Sequence, residues 1–222
     1  MRGLITKDIK LIKKQKSFGI IFAAVILFYL FSDINTLFIN GYACLVGMIF
    51  IVGTISYDEM DNGNAFLFTL PFERKTYVRE KYLLTVLVTA AVWIFSFFAA
   101  AAAGMLRDLR TVPADQIIPA LLILAAAFFF ASLMLPIQLK FGGNRGVLGL
   151  IFSIFAAAFI VILAAKLLNF IGVDSQERLK LFRDFLAVLS PGILSLICLA
   201  ASALCLFVSH HISNRIIERK EF

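Results

Sequence analysis

Apolar runs long enough to cross a lipid bilayer recur along the whole chain. A transmembrane helix needs about 17–25 mostly apolar residues, and the sequence contains five runs in that range after a shorter one near its start. Hydrophobic residues make up 61% of the 222 residues, against about 45–50% in a soluble domain, and a water-exposed globule of this size could not bury them. The sequence therefore predicts an all-α integral membrane protein with six transmembrane helices: 18–31, 37–56, 82–106, 117–139, 147–170 and 185–209.

The positions of the basic residues predict the orientation of these helices. Cytoplasmic loops of membrane proteins carry an excess of Lys and Arg. With the N-terminus inside, 15 of the 21 basic residues flank inner helix ends and six flank outer ends. We therefore expect both termini, the loop 57–81 and the turn 140–146 to be cytoplasmic. Topology and contact with anionic lipid headgroups then explain the net charge of +7 better than nucleic acid does.

Residues 1–17 precede the first predicted span and have the pattern of a helix that lies in the membrane interface. Their apolar side chains share one helical face, and lysines cover the rest, as in amphipathic interfacial helices. Two interpretations of this segment remain open: a basic anchor that obeys the positive-inside rule, or an elbow helix that braces the first span and abuts a cytosolic partner. The apolar face consists of Leu4, Ile5, Ile9 and Ile12.

Ionisable groups are almost absent from the predicted spans, and this limits the chemistry of the chain. The only one is Lys166, near the outer end of the fifth span. Intramembrane carboxylates and histidines normally form proton relays or metal sites, so we expect neither a proton-coupled carrier nor an intramembrane metalloenzyme. His210 and His211 follow the last span and point to different helix faces, so they are predicted to be interfacial residues.

The sequence contains no phosphate-binding loop. Its glycine-rich stretch 141–146 lacks the Lys-Ser/Thr ending and the strand-to-helix setting of such a loop, and it is predicted to be a compact turn. We therefore expect the chain to bind no cofactor of its own. Any energy for its work must come from a partner.

The inner loop 57–81 is the segment best suited to contact such a partner. An acidic stretch continues the second span, an apolar stretch follows, Pro71 ends that stretch, and a charged helix leads into the third span. The acidic side chains form a face that can pair with basic groups of a partner. The aromatic side chains can fill an apolar groove of that partner. An element joined rigidly to two membrane helices can then pass motion into the membrane. The alternative is an interfacial loop without a partner.

This loop also resembles that of a known family. The acidic extension of the second span, a following glycine, the stretch 70–75 (LPFERK) and the pair 81–82 (KY) are similar to the loop of small six-span ABC-2 type permeases of Gram-positive bacteria. The opening residues 1–8 and the turn 140–142 also resemble that family, and the resemblance extends over the whole chain. It implies a single ABC-2 type transmembrane domain, residues 1–222, in the plasma membrane of a bacterial cell.

The resemblance also implies the role and the partners of the chain. The role is that of the permease subunit of an ABC exporter, which is not itself an enzyme. The partners are two copies of a cytosolic ABC ATPase, which would hold ATP and Mg, and a second permease copy, as a homodimer or a close paralogue. Residues 57–68 would form the coupling helix that docks in the ATPase, and 140–146 a smaller contact. The residues predicted to couple the chain to the ATPase are Tyr57, Asp58, Glu59, Met60, Asp61, Phe66, Phe68, Arg74, Lys140 and Arg145.

The nature of the substrate follows from the same resemblance. Members of the family export peptides, including amphipathic cytolytic toxins, or confer resistance to antimicrobial peptides, and exporters of phenol-soluble modulin-type peptides are similar to this chain. The nearly uncharged spans suit an amphipathic or hydrophobic peptide better than a sugar or an ion, while the substrate-binding residues stay unknown. One alternative is a membrane scaffold or sensory subunit that binds an ATPase without transporting. An integral membrane enzyme is disfavoured because the spans lack a polar catalytic cluster.

Overall fold

The computed structural model of the chain describes residues 2–14, 24, 36–59, 63, 67, 69, 73–106, 113–142, 151, 155, 159, 162–163, 166 and 190–220. Within these residues the chain forms long α-helices and no β-strand, which confirms the predicted all-α fold. The helices are α1 (Arg2–Lys14), α2 (Thr36–Glu59), α3 (Arg74–Leu106), α4 (Pro113–Phe141) and α5 (Pro191–Arg219).

Four of the described helices are long and apolar enough to cross a membrane. They are α2, α3, α4 and α5, and they overlap the second, third, fourth and sixth predicted spans. The first predicted span, 18–31, and the fifth, 147–170, lie outside the described residues except at isolated positions. The number of six spans therefore stays a prediction, while the membrane character of the fold is established by the four helices.

A local cap sets the start of one helix, and two helices extend beyond their apolar parts into charged segments. α5 begins after Ser190, whose side-chain oxygen accepts a hydrogen bond from the backbone N–H of Ile193 at 3.4 Å, and Pro191 occupies the first turn, where its missing N–H costs nothing. α3 begins at Arg74, so the charged segment before the third predicted span and the span itself form one continuous helix. α5 likewise continues beyond its apolar part to Arg219.

The helices pack through small residues and through a shared apolar core. α4 packs against α5, while α2 packs against both α3 and α4, and α1 contacts α2 and α3. Gly47 of α2 lies so close to α3 that an added Cβ would stand 3.2 Å from Cγ2 of Val92. Ala127 and Ala131 of α4 are buried in the same core, where small side chains let membrane helices approach each other closely.

Polar contacts between helices supplement this packing. The Trp93 Nε1 of α3 donates to the carbonyl of Ala120 in α4 at 2.7 Å. α4 continues through Pro136, which has no N–H to donate to the carbonyl four residues earlier, that of Ser132. The hydroxyl of Ser209 in α5 donates to this same carbonyl. A side chain of the neighbouring helix therefore satisfies the backbone oxygen that the proline frees.

Candidate functional site

Five charged side chains from three helices meet at one end of the bundle, and we call them the ion cluster. They are Lys7 and Asp8 of α1, Asp58 of α2, and Glu80 and Lys81 of α3. Four of them are buried, and Lys7 reaches the cluster from a half-buried position. We call this end, where α2 and α4 end and α3 begins, the charged end.

The ammonium group of Lys81 lies at the centre of the ion cluster. It forms ion pairs with Asp8 Oδ2 and, at 2.8 Å, with Asp58 Oδ2, and it donates to the hydroxyl of Thr54 at 3.2 Å. An ammonium has three N–H donors, and each of them thus has an acceptor. Asp58 also accepts a hydrogen bond from the hydroxyl of Tyr77 at 3.1 Å.

The remaining members join α1 to this centre. Lys7 forms ion pairs with Asp58 Oδ1 and, at 3.3 Å, with Asp8 Oδ1. Glu80 is fully buried, and within the described part of the chain neither of its carboxyl oxygens has a hydrogen-bond donor; its nearest cation is Lys81, 3.9 Å from Oε2. The ion cluster therefore fastens α1 to α2 and α3 through groups that are costly to bury unless they are paired.

A second set of contacts, which we call the α5 clasp, holds the end of α5 against its neighbours. Nη1 of Arg74 donates to the carbonyls of Ile217 and Glu218 at 3.2 Å each and to that of Lys220 at 2.9 Å. The last carbonyls of a helix have no partner within the helix and carry partial negative charge. The guanidinium of α3 thus caps α5.

Lys220 extends the α5 clasp to α2 and α4. Its Nζ donates to Glu59 Oε1 and to the carbonyl of Leu139, both at 3.0 Å. The Glu59 carboxylate also lies against Gly142, at the place where a Cβ would stand. Gly142 has a positive φ of 63° and its N–H bonds the carbonyl of Gln138 at 2.8 Å, so it ends α4 in the left-handed conformation that glycine tolerates.

The predicted coupling residues fall into three groups in this structure. Asp58, Glu59 and Arg74 are engaged within the chain, the first in the ion cluster and the other two in the α5 clasp. Tyr57, whose exposed fraction is 47%, and Lys140 lie at the surface of the charged end. Five others lie outside the described residues: Met60, Asp61, Phe66, Phe68 and Arg145.

This placement differs from the acidic face expected for the loop. Asp58 is buried because Lys7 and Lys81 of its own chain neutralise it, and Lys220 binds Glu59. Neither carboxylate is directed outward from the described surface. The contact of the coupling residues with an ATPase stays a prediction.

Sequence reasoning missed most of the ion cluster and of the α5 clasp. Lys7 was assigned to the interfacial helix, Glu80 and Lys81 to the charged helix that leads into the third span, and Lys220 to the inner charge balance, without a partner for any of them. A usable signal was Asp8, which is the only acidic residue among residues 1–17. A lone carboxylate among basic residues indicates a cation partner but does not identify Lys81 as that partner. Among the described residues, no group of three or more His, Cys, Asp or Glu could hold a metal ion.

Comparison with known proteins adds one finding to this geometry. A family model described as "ABC-2 family transporter protein" matches residues 3–218. A comparison with curated proteins gave no match, and neither did a comparison with solved structures.

Proposed function

The chain belongs to the ABC-2 family of transporter proteins, and from this membership we propose that it is the permease of an ATP-driven exporter of amphipathic or hydrophobic peptides. The family supplies the transmembrane component of ABC transporters and has no nucleotide-binding domain of its own. The chain is accordingly a multi-pass membrane permease that associates with a separate ABC ATPase. The peptide substrate, the direction of transport and the pairing with a second permease are parts of the proposal.

The polarity of the buried side chains supports a substrate of this class. Away from the charged end, the buried polar residues of α2, α3 and α5 are hydroxyls and one amide, among them Asn40, Thr89, Ser96 and Ser202. Ser96 donates to Asn40 Oδ1 at 2.6 Å, and Ser202 donates to the carbonyl of Leu199 in its own helix at 2.8 Å. The hydroxyl of Thr89 has no hydrogen-bond partner among the described residues. Helices whose described buried side chains carry no charge away from the charged end suit an amphipathic peptide better than a fixed-charge solute.

The observation that carries the proposed coupling is the joining of helix ends at the charged end. The ion cluster fastens α1, α2 and α3 to each other, and the α5 clasp fastens α5 to α2, α3 and α4. A force that an ATPase applies at this end would therefore be transmitted to all four candidate spans together. A loosely connected set of helix ends could not transmit such a force.

Transport is tested with inside-out vesicles that contain the chain and its partner ABC ATPase. We expect ATP-dependent accumulation of a labelled amphipathic peptide and stimulation of ATP hydrolysis by that peptide. Matched vesicles carry the ATPase with its catalytic carboxylate removed, and these should accumulate none. An ATPase that binds the chain and responds to peptide without any accumulation would instead establish the sensory scaffold.

Docking of the ATPase is tested with substitutions that avoid the α5 clasp. Tyr57→Ala combined with Phe66→Ala removes two aromatic side chains from the predicted coupling segment. Since truncating an interface anchor costs about 2 kcal/mol or more, we expect co-purification of the ATPase to fall at least about tenfold, together with peptide export. The control is Tyr42→Ala, because Tyr42 has a similar exposed fraction, 52%, and lies about four turns from Tyr57 on the same helix.

The choice of Tyr57 matters for interpreting this experiment. Glu59→Lys would place a second cation against Lys220, so it would disrupt the α5 clasp instead of the docking surface alone. Undiminished ATPase capture and normal export by the double aromatic variant would remove the coupling segment from the mechanism. Equal losses in the Tyr42→Ala control would attribute the effect to the fold of α2.

A further inference from the structure

A basic surface lies on the outward side of α3 and α5 at the charged end. Arg79 of α3, and His211 and Arg215 of α5, have exposed side chains and belong neither to the ion cluster nor to the α5 clasp. Among the ion pairs of the described residues, none involves Arg79 or Arg215, and the carboxylate of Glu218 is paired with Lys75 at 3.1 Å. We call Arg79, His211 and Arg215 the basic patch.

Contacts on either side of Arg79 fix the register of α3 against α5 at the level of the basic patch. The hydroxyl of Tyr82 bonds that of Ser213 at 2.8 Å, and Lys75 pairs with Glu218. Residue numbers therefore rise along α3 as they fall along α5, so the helices run antiparallel. Arg79 lies between the two contacts and comes level with the turn of α5 that carries the exposed His and Arg.

The surroundings of His210 agree with this register. Its ring packs edge-on to the ring of Tyr82, with centroids 5.2 Å apart. Arg79 from α3 and His211 from α5 are both close enough to act electrostatically on it. Basic groups from two helices thus converge on one patch.

Exposed apolar residues continue the basic patch along both helices. On α3, Leu83 and Val86 follow Arg79 at spacings of four and seven residues and are 40% and 39% exposed. On α5, Val208 and Leu204 precede Arg215 by seven and eleven residues and are 57% and 67% exposed. These spacings keep each set on one helical face. A basic surface at the end of the candidate spans thus passes directly into an apolar surface within them.

We propose that the basic patch binds the phosphate group of an anionic phospholipid, whose acyl chains lie along the adjoining apolar stripes. Basic pockets between transmembrane helices bind anionic headgroups at the membrane surface, and the planar donors of arginine match the oxygens of a phosphate. An acidic soluble protein could reach only the basic side chains, because the exposed Leu and Val side chains lie within the candidate spans. A phospholipid satisfies both halves of the surface, and this inference is independent of the transported substrate.

The test measures lipid retained by the full chain in detergent. The purified protein is incubated with phosphatidylglycerol or with phosphatidylcholine of the same acyl chains, and bound lipid is counted by native mass spectrometry. We expect the unmodified chain to retain phosphatidylglycerol preferentially. Arg79→Gln with Arg215→Gln should weaken this binding by roughly 10- to 30-fold and leave phosphatidylcholine unaffected. The conservative pair Arg79→Lys with Arg215→Lys should lose less.

A matched control separates a site from general attraction to positive charge. Lys10→Gln with Lys140→Gln removes two exposed basic side chains that lie outside the basic patch, and it should leave phosphatidylglycerol binding unchanged. An unchanged thermal unfolding midpoint in each variant verifies the fold.

Several outcomes would overturn the proposal. Equal losses in the lysine control would mean that binding follows net charge alone. Unchanged phosphatidylglycerol binding in the arginine variant would exclude the site, and displacement of the lipid by inorganic phosphate would show an anion site without lipid selectivity. Loss of ATPase capture by the arginine variant, with lipid binding intact, would assign the basic patch to a protein partner.

Discussion

At the scale of single residues, Lys81 is the cation that pairs with the buried carboxylates of the charged end. Its ammonium group is completely buried between carboxylates of α1 and α2. Replacing one partner of a buried ion pair costs about 3–5 kcal/mol because the other charge is left uncompensated. The stability of the fold therefore depends on single charged groups in the ion cluster.

Lys81→Met is predicted to destabilise the protein strongly, because it keeps an unbranched side chain of similar size and removes the charge together with its three N–H donors. We expect a lower midpoint of thermal unfolding in detergent, and Asp8→Asn in the same chain should restore part of the loss. The control is Lys75→Met, since Lys75 has a side chain 64% exposed and an exposed ion pair contributes about 0–1 kcal/mol. Equal midpoints for the two variants would show that the ion cluster does not stabilise the fold.

Gly142→Ala is predicted to destabilise, while Gly53→Ala is predicted to stabilise slightly. Gly142 has a positive φ, which costs other residues about 1–2 kcal/mol, and its Cβ would collide with the Glu59 carboxylate. Gly53 lies within α2 with nothing within 4 Å of an added Cβ, so alanine gains about 0.5–1 kcal/mol of helix propensity there. The check is the same thermal midpoint, and an unchanged or raised midpoint for Gly142→Ala would contradict the assignment of Gly142 as a helix cap.

Local sequence patterns could not have found the ion cluster. Orientation rules assign each Lys and Arg to the water side of the membrane, and on that basis Lys81 belongs to an inner loop. Its partners Asp8 and Asp58 are separated from it by 73 and 23 positions in the chain, and only the packing of three helices brings them together. Only Asp8, the single acidic residue of the N-terminal segment, indicated in the sequence where to look for a buried ion pair.

At the scale of helices, one backbone oxygen of α4 is bonded by a side chain of α5. Pro136 leaves the carbonyl of Ser132 without a backbone donor, and Ser209 supplies the missing hydrogen bond. α4 continues through both of its internal prolines, Pro119 and Pro136. Neighbouring hydroxyls are one of the ways in which membrane helices accommodate proline.

Ser209→Ala is predicted to destabilise the packing of α5 by about 0.6–1.7 kcal/mol, from the average to the largest value for hydrogen bonds between membrane helices. It also removes the hydrogen bond between Ser209 and the hydroxyl of Tyr82 in α3, at 2.6 Å. Adding Pro136→Ala should restore part of this loss, because the new N–H can bond the Ser132 carbonyl within α4. Ser202→Ala is the control, since Ser202 donates to Leu199 in its own helix at 2.8 Å. Thermal midpoints of the single and double variants measure the coupling, and purely additive effects would show that Ser209 does not replace the proline's missing donor.

At the scale of the whole molecule, the apolar pattern predicted the described part of the fold well. Lipid offers no hydrogen bonds to the backbone, so a long apolar run can span it only as a helix or within a closed barrel, and the four candidate spans are helices that overlap four predicted runs. The arrangement of their charged ends was not predictable, because it depends on contacts such as that of Arg74 with α5. The coupling segment between α2 and α3 rests on the family resemblance.

The predicted orientation is tested by labelling single cysteines in a chain whose native cysteines have been replaced. We expect a membrane-impermeant maleimide to label Asp108→Cys in intact cells and to label Glu73→Cys only after the cells are opened, because Glu73 precedes α3 at the charged end. Lys140→Cys serves as the matched position, since it lies at the same end of the bundle. Labelling of Glu73→Cys from outside would reverse the orientation, and opposite results for Glu73 and Lys140 would contradict the packing.

The α5 clasp has a consequence for the order in which the molecule is assembled. Lys220 is synthesised 161 residues after Glu59, its partner, so their ion pair cannot form until every intervening helix has left the ribosome. Until then the ends of α2 and α4 have no link through this lysine, and Arg74 has no α5 carbonyls to bind. A nascent chain can therefore insert its earlier helices into the bilayer one after another before the α5 clasp forms between their ends.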